Sequence, residues 1–270
     1  MTKTSSPLPP TVERFAGFAD VYDQYRPNPP AELGDILTHM IHMPAPALVV
    51  DLGCGTGLST RFWAERARQV IGIDPNAEML AVARARTGAT NIAYLYGDGH
   101  LAALISGCAD IVTCSQSLHW MDPQLTLLEV ARLLRPGGVF AVYDHTSLVM
   151  PGWEIEAAQR AFQERADALE NELGITAQVP RWPKQEHLPA MQASGLFRYT
   201  REFNLHQVEL GNAQFLIGGV LSSGQIQSLF KAGVTEKELG LDVLRAQAHR
   251  LLGDELRPWY LSVHVRIGIV

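Results

Sequence analysis

Cysteine is scarce in this chain: Cys54, Cys108 and Cys114 are the only three, and none belongs to a C-x-x-C or C-x-x-x-H pair. That excludes a disulfide framework and the common zinc spacings, and it leads us to expect a reducing, cytoplasmic setting. No apolar run approaches the roughly 18 residues of a membrane helix, and the opening MTKTSSPLPPTVERF holds no apolar segment of the signal-peptide kind. Basic residues are outnumbered, 22 Lys and Arg against 28 Asp and Glu, for a net charge of -6. Without a long-range positive field to gather phosphates, nucleic acid is not expected as a partner, and neither is a membrane. What is present is an ordinary globular balance, 47% hydrophobic and 19% charged over 270 residues. This permits one large domain or a core with an insertion, as a monomer or homodimer.

From Ala47 to about Asp144, short Val- and Ile-rich runs alternate with amphipathic stretches, the pattern of strand-helix-strand units around a parallel sheet. The runs predict strands at Leu48–Leu52, Val70–Ile73, Ile92–Tyr96, Ile111–Cys114 and Val139–Tyr143, each apolar on both faces. Helices are expected at Thr60–Ala67, Asn76–Arg86 and Pro123–Leu134, the last opened by Asp122. Ahead of them come Pro7, Pro9 and Pro10, a helical stretch at Val12–Tyr25, a break at Pro27–Pro30 and a helix at Ala31–His42. Beyond Met150 the reading is a long helix at Trp153–Leu173, a loop at Val179–Pro189, a short helix at Leu188–Ala193 and a strand at Arg198–Val208. Helical stretches follow at Asn212–Phe230 and Thr235–Leu252, the second with a Thr235-x-x-Glu238 capping pattern. In the closing strand Leu261, Val263, Val265, Ile267 and Ile269 alternate with other residues, which predicts an antiparallel strand with one wet face.

The run VVDLGCGTGLSTRF, Val49 to Phe62, places Gly53, Gly55 and Gly57 between a strand and a helix, so that a ligand can lie against the main chain. Dinucleotides, flavins and S-adenosylmethionine all use such an element. Leu58 stands where a dinucleotide fingerprint wants its third small residue. Asp51 ends the strand, where a carboxylate repels a pyrophosphate but suits a cationic sulfonium; its plainer role is to cap the glycine loop, and the two can coexist. Asp74, in VIGIDPN, sits near the interval at which an acid meets ribose hydroxyls, with a helix N-cap as its plainer role. Asp98 in YGDGH closes the third strand, where it and Gly99 would bracket a flat base.

These residues resemble the class I S-adenosylmethionine-dependent methyltransferases. DLGCGTG, GIDPN, Gly97-Asp98, ADIVTCSQSLHWMD and LLRPGGVF follow one another in the family's order over Ala47 to Tyr143. YDQYRPNPP, Tyr22 to Pro30, and the Leu118-His119-Trp120 cluster resemble the small-molecule branch that includes trans-aconitate methyltransferase-like proteins. The resemblance implies an α/β fold: a Rossmann-like seven-stranded mixed sheet with helices on both faces, the last strand antiparallel, and a helical cap. The expected parts are N-terminal lid helices at 1–46, the cofactor-binding core at 47–150, a cap insertion at 151–196 and the rest of the sheet with further helices at 197–270. S-adenosylmethionine, leaving as S-adenosylhomocysteine, is the implied cofactor. Asp51, Gly53, Cys54 and Gly55 would line its methionine part, Asp74 the ribose, and Pro75, Met79, Asp98 and Gly99 the adenine. Ser115 would lie beside the sulfonium, with Arg26 on the methionine carboxylate and Tyr22 shielding that end.

The implied reaction is in-line transfer of a methyl group to a small-molecule acceptor. His119 and His145, at the carboxyl edge of the sheet, are the candidate bases; His119 reads equally as a packed wall beside Trp120. Trp120 and Trp153 are candidates to hold the acceptor. His39 and His42 have no third ligand, so no metal is expected. The alternatives are an NAD-dependent oxidoreductase and a non-catalytic S-adenosylmethionine-binding protein.

Overall fold

Seven strands form one sheet in the order β3-β2-β1-β4-β5-β7-β6. They are β1 (Leu48–Leu52), β2 (Gln69–Asp74), β3 (Ile92–Tyr96), β4 (Ala109–Ser115), β5 (Leu134–Val149), β6 (Tyr199–Gly211) and β7 (Arg257–Ile269). The first five run parallel, and β7 lies antiparallel between β5 and β6. The computed structural model describes residues 9–175 and 179–270; Pro7, and residues 176–178 of the expected cap, lie outside the described residues.

Helices cover both faces, as continuous apolar strands require. On one face Leu33 and Leu37 of α3 (Ala31–Met40), with Trp63 after α4 (Leu58–Phe62), pack on Val49, Ile111 and Val265. On the other, Leu127 and Val130 of α6 (Pro123–Leu133) and Met191 of α8 (His187–Ala193) pack on Val50, Val112 and Phe140. The crossovers are pinned by caps: Asn76 accepts from Glu78 and Met79 N–H at the start of α5 (Ala77–Arg86), and Asp122 accepts from Leu125 N–H at the start of α6. Such a cap contributes about 1 kcal/mol.

A third apolar cluster caps the sheet. Ile155 and Phe162 of α7 (Trp153–Glu172) meet Leu216 of α9 (Ala213–Leu221), Ile226 of α10 (Gly224–Lys231) and Leu244 of α12 (Leu241–Leu251), over Trp259 and Leu261 of β7. The cap is thus α7 together with helices inserted between β6 and β7, whereas Met191, inside the cap insertion expected at 151–196, belongs to the sheet layer.

Three helical stretches are split where the backbone leaves the helix. Val12–Tyr25 becomes α1 (Pro10–Glu13) and α2 (Ala19–Tyr25), parted by Gly17 at φ +89°. Asn212–Phe230 breaks at Ser222–Ser223, and Thr235–Leu252 breaks at Gly240, φ +79°, into α11 (Glu236–Leu239) and α12. The capping box between Thr235 and Glu238 is formed. Strand β5 runs on to Val149, well past the expected Tyr143, because His145 to Val149 pair with Val263 to Tyr260 of β7. Alternation along β7 stops at Arg266, a charged residue that is buried through its contact with Asp144. Among the described residues no helix is long and apolar enough to cross a membrane.

Candidate active site

The glycine loop after β1 is set by its own backbone. Gly53 and Gly55 have φ of +66° and +54°, and a Cβ on Gly53 would stand 2.5 Å from the Ser117 Cβ, so a side chain there would force the loop off the turn after β4. Gly53 and Cys54 N–H donate to the Ile73 carbonyl at 2.8 and 3.1 Å. At the end of β2, Asp74 accepts from Gly55 N–H at 2.8 Å and from Asn76 N–H at 2.8 Å. One carboxylate therefore ties the loop to its neighbouring strand, with lone pairs left over. Burial pushes its pKa up to about 6.

These elements wall a cavity with about 1070 Å³ of empty space, part of it open to solvent. Gly53, Gly55, Asp74, Pro75, Met79, Asp98, Gly99, Ser115 and Tyr22, all expected at the cofactor, line it, and so does Trp120, which was expected at the acceptor instead. Asp74, Asp98 and Asp122 are in its wall, and among the described lining residues there is no Lys or Arg. A wall with three acids and no strong cation suits a cationic nucleoside and opposes a pyrophosphate.

Sequence reasoning missed part of this wall. Gln116 lines the cavity at φ +54°, a left-handed conformation for a non-glycine residue, and no sequence pattern signals it. Pro9 to Phe15 close the cavity from above, held by distant partners. Asn76 Nδ2 donates to Val12 O at 3.3 Å, Gly17 N–H donates to the Glu78 carboxylate at 2.9 Å, and Arg14 pairs with Glu170 of α7 at 2.8 Å. The Arg14 and Arg181 guanidiniums lie 5.5 and 5.2 Å from the Trp120 ring centre, with Phe15 edge-on at 5.5 Å.

Other expectations are corrected. Asp51 does not line the cavity: it is fully buried below the loop, accepting from Thr60 Oγ1 at 2.7 Å, Thr113 Oγ1 at 2.8 Å and Ser59 Oγ at 3.2 Å. Three hydroxyls supplied by α4 and β4 satisfy it there, and burial raises its pKa to about 6. Cys54 is also buried away from the cavity, and burial pushes its thiol well up, so it is no nucleophile. His119 lines neither this cavity nor the one walled by Arg26. Its Nδ1 lies 3.7 Å from Asp144 Oδ1, its carbonyl accepts from Trp182 N–H at 2.8 Å, and its ring is 4.7 Å from that of Trp120. Burial and the Lys184 and Arg181 charges depress its pKa to about 2. Trp153, 75% exposed at the start of α7, is on the surface.

Arg26 faces elsewhere than expected. It lines a second cavity, of about 1020 Å³ of empty space, between α2, the outer ends of β5 and β7, and the cap helices α7, α9 and α10. Tyr22 is in the wall of the first cavity and Arg26, one helical turn on, in the wall of the second, with the guanidinium 5.2 Å from the phenol ring centre. His145 also lines the second cavity, and burial with the Arg26 charge lowers its pKa to about 4, so it is a free base at neutral pH.

A 3-2-1-4-5-7-6 sheet with a ligand cleft over its glycine loop is the class I methyltransferase fold. A structure from Anaeromyxobacter dehalogenans, presented as that of a type II methyltransferase, superposes with a TM-score of 0.61 at 20% identity, over 91% of this chain and 98% of that one. That is a likeness of fold. In sequence, residues 50–142 match the family described as a methyltransferase domain. An uncharacterised methyltransferase of Mycobacterium tuberculosis is 37% identical over 146 residues, 54% of this chain and 57% of that protein. A trans-aconitate 2-methyltransferase of Deinococcus radiodurans is 36% identical over 160 residues, 57% of each. The chain spans little more than half the length of these relatives. Residues 50–142 thus carry a methyltransferase domain, set in a class I methyltransferase fold.

Proposed function

We propose that this chain transfers the methyl group of S-adenosylmethionine, held in the first cavity, to a small molecule held in the second. The observation that carries the reading is α2, which puts Tyr22 in one cavity wall and Arg26 in the other. The acidic lining of the first cavity suits a ligand bearing a sulfonium and an ammonium. When bound, S-adenosylmethionine supplies a methyl that is already activated, so the protein's task is to align two partners and exclude water. Asp74 would take the ribose hydroxyls with the lone pairs that Gly55 and Asn76 leave free. The Gly53–Gly55 backbone and Ser115 would border the methionine part, and Pro75, Met79, Asp98 and Gly99 the adenine. Residues 9–17 and Tyr22 would shut out solvent. His145, a free base in the second cavity, can take a proton from a hydroxyl or amine acceptor, whereas a carboxylate acceptor needs no base. The name of the Deinococcus relative, which refers to a small acid, supports a small-molecule acceptor.

Calorimetry with S-adenosylhomocysteine and NAD, followed by transfer from methyl-labelled cofactor to panels of acids, phenols and amines, tests this. Binding of S-adenosylhomocysteine alone, with label in a small-molecule product, is the expected result. NAD binding in its place would return the oxidoreductase reading, and binding without transfer to any acceptor would leave a cofactor-binding protein.

A further inference from the structure

Resting on the reading of the second cavity as the acceptor's, we propose that it takes a monoanionic acid with an apolar body, the charged end at Arg26. Among the described residues lining this cavity, Arg26 is the one full cation and none is an acid. Among the described residues its guanidinium makes one hydrogen bond, from Nη2 to the Ser222 carbonyl at 3.0 Å. Its Nε is buried with no partner among the described residues. A guanidinium with N–H groups to spare, its Nε buried and its carbon 5.2 Å from the Tyr22 ring centre, is a site for an anionic oxygen pair.

The rest of the lining limits what that anion carries. His145 beside Arg26 is uncharged at neutral pH, and Thr146, Ser147 and Ser223 offer only neutral hydroxyls. Along the remaining wall run Phe162, Phe215, Leu216, Val220, Trp259 and Leu261. A fatty or aryl carboxylate places its charge on Arg26 and its body on these side chains. A tricarboxylate would set its further charges against hydrocarbon with no cation to meet them. An amine would meet the guanidinium with like charge.

Calorimetry on the full chain with octanoate, 1-octanol, octylamine and citrate, each with and without saturating S-adenosylhomocysteine, tests the site. Octanoate is expected to bind, octanol about tenfold more weakly or worse, and octylamine and citrate without measurable heat. Arg26→Gln should weaken octanoate about tenfold or more while S-adenosylhomocysteine affinity stays within about twofold, and Arg26→Lys should restore part of the octanoate affinity. Octylamine or citrate binding as well as octanoate would overturn the proposal. So would an Arg26→Gln protein that loses cofactor affinity and keeps octanoate, which would put Arg26 on the methionine carboxylate. Octanoate binding by a wild-type chain that fails to bind S-adenosylhomocysteine would sink the methyl-transfer reading and leave the acid site standing.

Discussion

Arg14 and Glu170 meet at 2.8 Å across 156 residues of sequence, both nearly buried, and the contact clamps the segment above the first cavity to the cap helix α7. Removing one partner of such a pair strands the other charge in a dry place. The segment should then open more often, and bound cofactor should leave faster. Arg14→Ala is expected to raise the S-adenosylhomocysteine dissociation rate about tenfold, equivalent to about 1.4 kcal/mol, with a smaller change in association rate. Stopped-flow displacement measures both. An unchanged dissociation rate would mean that the clasp does not gate the cavity.

The proposed hold of Asp74 on the ribose links cofactor binding to pH. Its pKa is raised from 3.8 to about 6, chiefly by burial, so near pH 5 the carboxyl is protonated and is a poorer acceptor for hydroxyls. Cofactor affinity should rise with pH through about 6, and Asp74→Ala should both weaken binding and flatten that rise. Stability of the empty protein runs the opposite way. The folded state holds the Asp51 and Asp74 protons more tightly than the unfolded chain, so their contribution is fully present below pH 3.8 and is lost as pH rises through about 6. Calorimetric titrations and urea melts at pH 5 and 7.5 read the two trends, and parallel trends would contradict the assignment.

The parts of the site that were legible in the sequence are those built from neighbours. Gly53, Gly55, Asp74 and Asp98 each lie at a strand end, and a strand end followed by glycine or acid is a local pattern. The clasp of Arg14 on Glu170 is invisible in that way because nothing in either neighbourhood refers to the other. The inward turn of Asp51 is hidden for the same reason: of its three hydroxyl partners, Thr113 comes from a different strand. Asp144 to Ser147 are polar, so the extension of β5 becomes a strand only through pairing with β7. Arg26 stands out in the sequence as a candidate for binding, but which cavity it lines depends on how α2 docks.

His119 separates packing from catalysis. It is 4% exposed, lines neither cavity and is held beside Asp144 and Trp120. His119→Ala should cost about 2–4 kcal/mol of stability through the cavity it leaves. At a temperature where the variant is folded, the pH dependence of its turnover should match that of the wild type. Loss of one limb of the pH-rate profile with stability retained would restore His119 as a base.

Asp144 is the pivot of the charges behind the site. It is 1% exposed, with Lys184 Nζ at 2.7 Å, Arg266 Nη1 at 3.1 Å, and His119 and His187 Nδ1 at 3.7 and 3.9 Å. Both histidines are kept neutral, first by burial and then by nearby cations, so the carboxylate balances Lys184 and Arg266. Asp144→Ala leaves two cations together and should cost about 3–5 kcal/mol. Lys184→Met should cost less, since Arg266 still neutralises the carboxylate and Lys184 is 25% exposed. Its effect should fall on cofactor affinity instead, because Lys184 Nζ also donates at 3.0 Å to Gln116 Oε1 in the wall of the first cavity. Urea denaturation of the two variants, beside the S-adenosylhomocysteine affinity of Lys184→Met, decides the matter. Equal destabilisation with unaltered cofactor affinity would show that Lys184 serves the fold alone.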